Sequence, residues 1–394
     1  MTIYLDNAAT SFPKPECVYQ AMDHFARTAL GNPGRSGHAL ARQSEAIVED
    51  CRHRLNQLLG GASVERWAFT LNCTDALNMA IKGTVRPGDH VITTDLEHNS
   101  VSRPLVALER AGVITLTRVA ASPEGTVDPD DIKAAFTPRT RLVAITHASN
   151  VLGTVQPIEA IAPLVRERDA LLLLDAAQTA GVLPIHAEKM LVDLLAVPGH
   201  KSLLGPTGTG ALYVGPRVTL RPWREGGTGG DSFSETQPDK YPFFLEGGTP
   251  NVVGLAGLAA GLAWVAEQTP AKLHAHEMAL ATRLWHGLDQ LGLRVLGHRD
   301  PTRHVATVSF VCDTLPSPEI GMILDGDFHI AIRPGYHCAP YVHRAHNTQP
   351  LSDGAVRVSP GPFNTPEQID ALFEALQQLV GVASCSGNLS VTIG

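Results

Sequence analysis

The sequence predicts an α/β protein: a large domain on a mostly parallel sheet flanked by helices, followed by a smaller α+β C-terminal domain. Three observations carry that expectation. From about residue 20 to 215, short apolar runs alternate with amphipathic stretches, the pattern of strand, helix and next parallel strand. Gly and Pro then crowd residues 205–250 in GPTGTG, EGGTGGD and EGGTPN, which reads as functional loops. Beyond Val252 a long helical pattern leads into a region of short strand signals and one terminal helix.

Taken in order, the strand signals are WAFT at 67, HVITT at 90, RLVAIT at 141, ALLLLD at 170, DLLAV at 193 and GALYV at 210. Their near-continuous apolar character suits strands buried on both faces. Between them lie helical patterns at 41 (ARQSEAIVEDCRHRLNQLLG), 74 (TDALNMAIKG), 101 (VSRPLVALERAG) and 158 (IEAIAPLVRERD). Downstream, LAGLAAGLAWVAEQ and HEMALATRLWHGLDQLG read as helices, LRVLG, VATVSFV, AIR and AVRVS as strands, and PEQIDALFEALQQLVG as the last helix. The final ten residues read as a loose tail.

The 394 residues allow two or three domains at roughly 150 residues each. The balance of 31 Lys+Arg against 39 Asp+Glu, a net charge of −8, argues against a broad polyanion-binding surface, so no nucleic-acid partner is expected. No apolar stretch reaches the roughly 18 residues that a membrane span needs. The N-terminal MTIYLDNAATSFPKPE lacks a basic region followed by an apolar run and cleavage site, so the cytoplasm is the expected location. Six cysteines (Cys17, Cys51, Cys73, Cys312, Cys338 and Cys385) are scattered without a C-x-x-C, which argues against a disulfide framework or zinc site. No metal is expected.

In an open parallel sheet, ligands bind beyond the carboxyl ends of the strands. Polar residues follow the apolar runs at those ends: Asn72, Cys73 and Thr74; Glu97 and His98; His147 and Asn150; Asp175 and Gln178; His200 and Lys201. Of seven lysines, only Lys201 falls between a buried strand and a Gly-rich loop. Desolvated there, its amine becomes a nucleophile able to form a Schiff base. Asp175 at another strand end can hold a pyridinium nitrogen protonated, which makes pyridoxal phosphate (PLP) an electron sink. Cys73 and Thr74, opening a helix, offer N–H and hydroxyl groups to a phosphate. His98 suits a position flat against the ring. Taken singly, each of these residues also reads as a cap, a core histidine or a solvated side chain; their combination is what points to one cofactor.

The motifs LDNAAT at 5, FTLNCTDALN at 69, DLEHNS at 95, HASNVLGT at 147, DAAQTAG at 175, GHKSLLGPTGTGALYV at 199 and EGGTPN at 246 resemble the class V aminotransferase family. The similarity is strongest to its cysteine desulfurase and selenocysteine lyase branch, and it runs in order from residue 4 to about 366. The resemblance implies the PLP-dependent transferase fold type I, with an N-terminal arm at 1–14, a large PLP-binding domain at 15–255 and a small domain at 256–394 that packs with the arm. It further implies that Lys201 carries the cofactor covalently, Asp175 pairs with its nitrogen, Gln178 bonds its phenolic oxygen and His98 stacks on the ring. Asn150 would lie near the cofactor oxygen and substrate carboxylate. Thr74, the Cys73 backbone and His200 would hold the phosphate, with Thr249 from the partner of a homodimer. Many relatives carry Ser or Thr three residues before the lysine; here Pro198 removes that hydroxyl.

In the second domain, Arg357 in GAVRVSPGPFNT offers a bidentate fork for an α-carboxylate. Cys338 in RPGYHCAP can attack the sulfur of bound L-cysteine as a thiolate, keeping that sulfur as a persulfide and releasing alanine. The resemblance reads this as a short-form catalytic loop whose sulfur passes to an acceptor protein, with iron–sulfur cluster assembly as the expected use. Lys201 would take the α-proton and His98 would shuttle protons. The rival expectations are a selenocysteine lyase, another PLP-dependent carbon–sulfur lyase or an aminotransferase. A P-loop NTPase fails because His200 separates glycine from lysine in GHKS and no G-x-x-x-x-G-K exists.

Overall fold

The computed structural model describes residues 2–34, 37–228 and 233–386. In chain order the elements begin with β1 (Ile3–Tyr4), α1 (Glu16–Thr28), α2 (Ala39–Leu59), β2 (Trp67–Thr70), α3 (Cys73–Thr84), β3 (Asp89–Thr94), α4 (Asn99–Arg110) and β4 (Ile114–Val119). Next come α5 (Pro129–Ala134), β5 (Thr140–Thr146), α6 (Ile158–Glu167), β6 (Leu171–Asp175), β7 (Leu194–Pro198), β8 (Gly210–Val214), α7 (Val252–Gln268) and α8 (Pro270–Gln290). The remainder is β9 (Arg294–Val295), β10 (Val308–Val311), α9 (Ser317–Phe328), β11 (Ile330–Ala331), β12 (Arg333–Gly335), α10 (Pro340–Ala345), α11 (Gln349–Ser352), β13 (Ala355–Val358) and α12 (Pro366–Ser386). Residues 387–394, most of the expected tail, lie outside the described residues.

The main sheet has seven strands in the order β2-β8-β7-β6-β5-β3-β4. From β4 through β7 every pairing is parallel, while β8 runs antiparallel to both β7 and β2. The strands are apolar throughout because both faces are covered. In β6, Leu172 and Leu174 enter one core with Trp67, Val143, Leu195 and α2, α6 and α7 residues, whereas Leu171 and Leu173 enter another with α3 and α4 residues. That split follows from the period of two along a strand. Strand β4 escaped the sequence reading because its RV end and Thr-rich pattern are only half-buried at the sheet edge.

A smaller antiparallel sheet, β12-β13-β10-β9, packs its apolar face on α8, α9 and α12 around Phe310, Val356, Val358, Leu284 and Leu372. Helix α7 instead packs on α1 and α2, so the two cores part at Thr269. Among the described residues no single helix is long and apolar enough to cross a membrane.

Connections on both sides hold the lobes in register over the rim of the main sheet. The N-terminal strand β1 pairs in parallel with β11, and Asp6 bridges to Ser359. The chain then crosses back, with Ser11 N–H donating to the His200 carbonyl at 3.1 Å and Ser11 Oγ to the Lys201 carbonyl at 2.9 Å. On the other side, the turn at 151–155 meets 303–305, where Val305 N–H donates to Gly153 O at 2.8 Å. Gly153 has φ +75, and a Cβ there would overlap the His304 ring and the Thr307 carbonyl. Gly153→Ala therefore combines left-handed strain with overpacking and should destabilise the protein by about 2–4 kcal/mol. Urea unfolding followed by circular dichroism checks this; a midpoint equal to wild type rules it out.

Candidate active site

The carboxyl ends of β2, β3, β5, β6 and β7 open into a cavity of about 200 Å³ whose lining includes Cys73, Thr74, His98, Asn150, Asp175, Gln178, His200, Lys201 and Arg357. The local sequence explains each placement. Asn72 caps α3, its Oδ1 accepting from Asp75 N–H at 2.9 Å, which turns Cys73 and Thr74 into the helix's first residues at the rim. His98 caps α4: its Nδ1 accepts from Ser100 N–H at 3.1 Å. An acceptor Nδ1 leaves the proton of a neutral imidazole on Nε2. Burial, with Lys201 nearby, pushes His98 down to about 4, so the ring is neutral near pH 7.

Asp175 ends β6, its Oδ1 accepting from Ala177 N–H at 2.9 Å and lying 3.7 Å from Cys73 Sγ. Burial raises its carboxyl above the usual range. Gln178 Nε2 donates to Ala8 O at 3.2 Å. Lys201 follows β7, and burial, reinforced by Arg357, lowers its amine to about 8 against the opposing pull of Asp175. A lysine near 8 has a sizeable neutral fraction at physiological pH, the form that attacks a carbonyl carbon.

The second lobe closes the cavity. Arg357 on β13 donates from Nη2 to Asp6 Oδ1 at 2.7 Å and from Nη1 to Asn150 O at 3.0 Å. Asn150 Nδ2 in turn donates to His337 O at 2.7 Å. Three atoms on these lining residues are buried without a partner: Asn150 Oδ1, His200 Nδ1 and Arg357 Nε. Buried polar atoms ordinarily find partners, and these belong to residues lining a cavity that also holds an acid, an amine and hydroxyls.

Two expected residues lie apart from this lining. Cys338 is exposed on the loop after β12, next to the cavity-lining His337, and its carbonyl accepts from Asn99 N–H at 2.7 Å. Thr249 lines a separate cavity of about 520 Å³ with Arg52, Phe69 and Glu246, and so is not brought to the lysine of its own chain. His147, another strand-end residue, is buried with Nδ1 2.9 Å from Thr179 Oγ1 and does not line the site.

The sequence reading missed Arg333, Ser100 and Asp6. Arg333 lines the cavity with Arg357; its position five residues before Cys338 in a strand-like AIR was the available signal. Ser100 Oγ lies 2.7 Å from Thr74 Oγ1 and lines the same cavity, which also includes Pro198. It places a hydroxyl from α4 where Pro198 supplies none. Asp6 sits in the LDNAAT motif, but nothing local tied it to Arg357.

A desolvated lysine and a buried acid thus line one polar cavity at the parallel strand ends. The family model "Aminotransferase class-V" matches residues 3–372, and the chain belongs to that family. A probable cysteine desulfurase of Pyrococcus abyssi is 33% identical over 96% of this chain and 94% of its own length. A cysteine desulfurase of Klebsiella pneumoniae subsp. pneumoniae is 30% identical over 96% and 93%. Among solved structures, the apo cysteine desulfurase of Thermococcus onnurineus superposes with a TM-score of 0.91 at 31% identity, covering 97% of this chain and 95% of that one. The S-sulfonic acid form of an Escherichia coli cysteine desulfurase superposes at 0.87 and 28% identity, covering 97% and 95%.

With the amine lowered to about 8, cyanate carbamylation of Lys201 should reach half its maximal rate near pH 8, against roughly 10.4 for an ordinary lysine. Asp175→Asn should move that midpoint lower still, since a carboxylate that favours the charged amine is lost. Peptide mass spectrometry across a pH series checks both; an ordinary lysine profile excludes the reading.

Proposed function

We propose that this chain is a PLP-dependent cysteine desulfurase that converts L-cysteine to L-alanine and holds the sulfur as a persulfide on Cys338 before passing it to an acceptor thiol. The observation that carries the proposal is a half-buried Lys201, its amine desolvated, lining one cavity with Asp175 and with His337, the neighbour of an exposed Cys338. The family membership and the names of the relatives support the same reading.

The lining fits PLP: an acid for the pyridine nitrogen in Asp175, an amide for the phenolic oxygen in Gln178, and hydroxyl, N–H and imidazole groups for the phosphate in Thr74, Ser100, Cys73 and His200. When bound, PLP supplies a sink for the electron pair released at the substrate α-carbon. Lys201 would hold the cofactor through its amine and would take the substrate α-proton on Nζ. His98, with Nδ1 taken by the Ser100 N–H, would move protons beside the ring through Nε2. Arg357, held in plane by Asp6 and the Asn150 carbonyl, orients the substrate carboxylate with its remaining N–H groups, and Asn150 assists. Cys338 as thiolate attacks the substrate sulfur; the new S–S bond forms as the carbon–sulfur bond breaks, and the carbon keeps the electron pair that is protonated on the way to alanine.

The proposal includes a homodimer in which each chain supplies Thr249, which lines a cavity apart from its own Lys201, to the other. A cytoplasmic protein feeding iron–sulfur cluster assembly completes the proposal, with the acceptor an external thiol.

Protein reconstituted with PLP should release alanine and sulfur in equal amounts from L-cysteine, while Lys201→Ala loses the visible cofactor band. Cys338→Ser should lower alanine formation from cysteine roughly 100-fold or more, because the sulfur loses its nucleophile. Pyruvate in place of alanine would defeat the proposal, and full selenocysteine cleavage with no turnover of cysteine would replace it with a selenocysteine lyase.

A further inference from the structure

The loop that presents Cys338 is backed by two histidines that none of the steps above uses. His337 and His343 are buried, with ring centroids 5.3 Å apart, and Thr348 behind them is fully buried. His337 Nε2 lies 2.9 Å from Arg333 O, His337 Nδ1 lies 3.3 Å from His343 Nε2, and His343 Nδ1 lies 2.8 Å from Thr348 Oγ1.

For neutral rings one arrangement of protons satisfies these three contacts, with the Tyr336 carbonyl a further acceptor beside His343. A carbonyl accepts and cannot donate, so His337 Nε2 carries its proton toward Arg333 O, and His337 Nδ1 must accept. His343 Nε2 then donates to it, which leaves His343 Nδ1 as acceptor of the Thr348 hydroxyl proton. Both rings are held neutral. Burial is the first cause in each; Arg357, His343 and Arg333 also disfavour charge on His337, and His346 does so on His343. The Asp353 carboxylate is taken by the Tyr336 hydroxyl.

This chain of donors ends on the segment whose backbone most needs holding. His337 and Cys338 both have positive φ, 47 and 57, a conformation that residues with a Cβ adopt rarely. Two consecutive residues of that kind persist only where the surroundings impose them. The chain grips the loop at Arg333 and His337, while Asn150 holds the His337 carbonyl and Asn99 the Cys338 carbonyl.

We propose that Thr348, His343 and His337 form a one-directional hydrogen-bond chain that holds the Cys338 loop in its left-handed turn, making His343 and Thr348 positioning residues for the thiol. The part concerning sulfur attack rests on the desulfurase reading. The part concerning the loop does not.

The test compares the PLP-loaded wild type with Thr348→Val, which keeps the shape and removes the donor, and with Thr348→Ser, which keeps the donor. Hydrogen exchange by mass spectrometry should show the 333–340 peptide exchanging about tenfold faster in Thr348→Val, with the 171–178 peptide unchanged. Alanine formation should lose about tenfold in kcat with KM within about twofold, and Thr348→Ser should restore both. Wild-type exchange and kcat in Thr348→Val, or equal impairment in Thr348→Ser, would overturn the proposal. If Thr348→Val fails to fold, His343→Gln against His343→Phe asks the same question. Gln keeps a donor and an acceptor and should lie nearer wild type, whereas equal loss in both overturns the chain. Wild-type protein that yields no alanine sinks the desulfurase reading, and the exchange arm still decides the positioning claim.

Discussion

The site is organised around the desolvation of one amine. Lys201 is anchored where β7 leaves the sheet, amid a rim of strand ends, and the cost of charging it there lowers the amine to about 8. Two opposed fields tune that state. Arg357 disfavours the ammonium and Asp175 favours it, so the amine's reactivity depends on residues from both lobes. The same low dielectric raises the Asp175 carboxyl and keeps His98 neutral, which makes each group's protonation a property of the closed cavity and not of its residue type.

Because that cavity closes only between the lobes, the lobe contacts belong to the chemistry. Asp6 lies on a stretch that is paired to the small lobe at β11 and Ser359 and then tied back to the backbone of His200 and Lys201. Its carboxylate orients Arg357, while Asn150 from the large lobe touches both Arg357 and His337. A small movement of either lobe would therefore alter the guanidinium, the amide and the thiol loop together. The positive φ values at His337 and Cys338 mark where that loop is most dependent on its neighbours.

The ordered alternation of apolar runs and amphipathic stretches made the main sheet legible, since burial on both faces leaves strands such as LLLL in β6 with no polar position to disguise them. In the second lobe β10 and β13, buried along their whole length, were legible as well, whereas β4 at the sheet edge and the half-exposed α1 were not. Most of the cavity lining was also legible, because residues that follow a buried strand must emerge at its carboxyl end. That rule found Asp175, Gln178, His200 and Lys201 without any long-range information. It also swept in His147, which turns inward to Thr179, because it says where a residue emerges and not which way its side chain turns.

The sequence by itself determined the class of scaffold and the identity of the strand-end groups, for these depend on periodicity and on neighbours along the chain. Only the tertiary structure decided that Asp6 meets Arg357 across 351 positions, that Arg333 and Ser100 join the cavity, and that two histidines stand behind the Cys338 loop. Those pairings are set by how two lobes dock, and docking depends on shape and burial summed over the whole molecule, which no local spacing encodes.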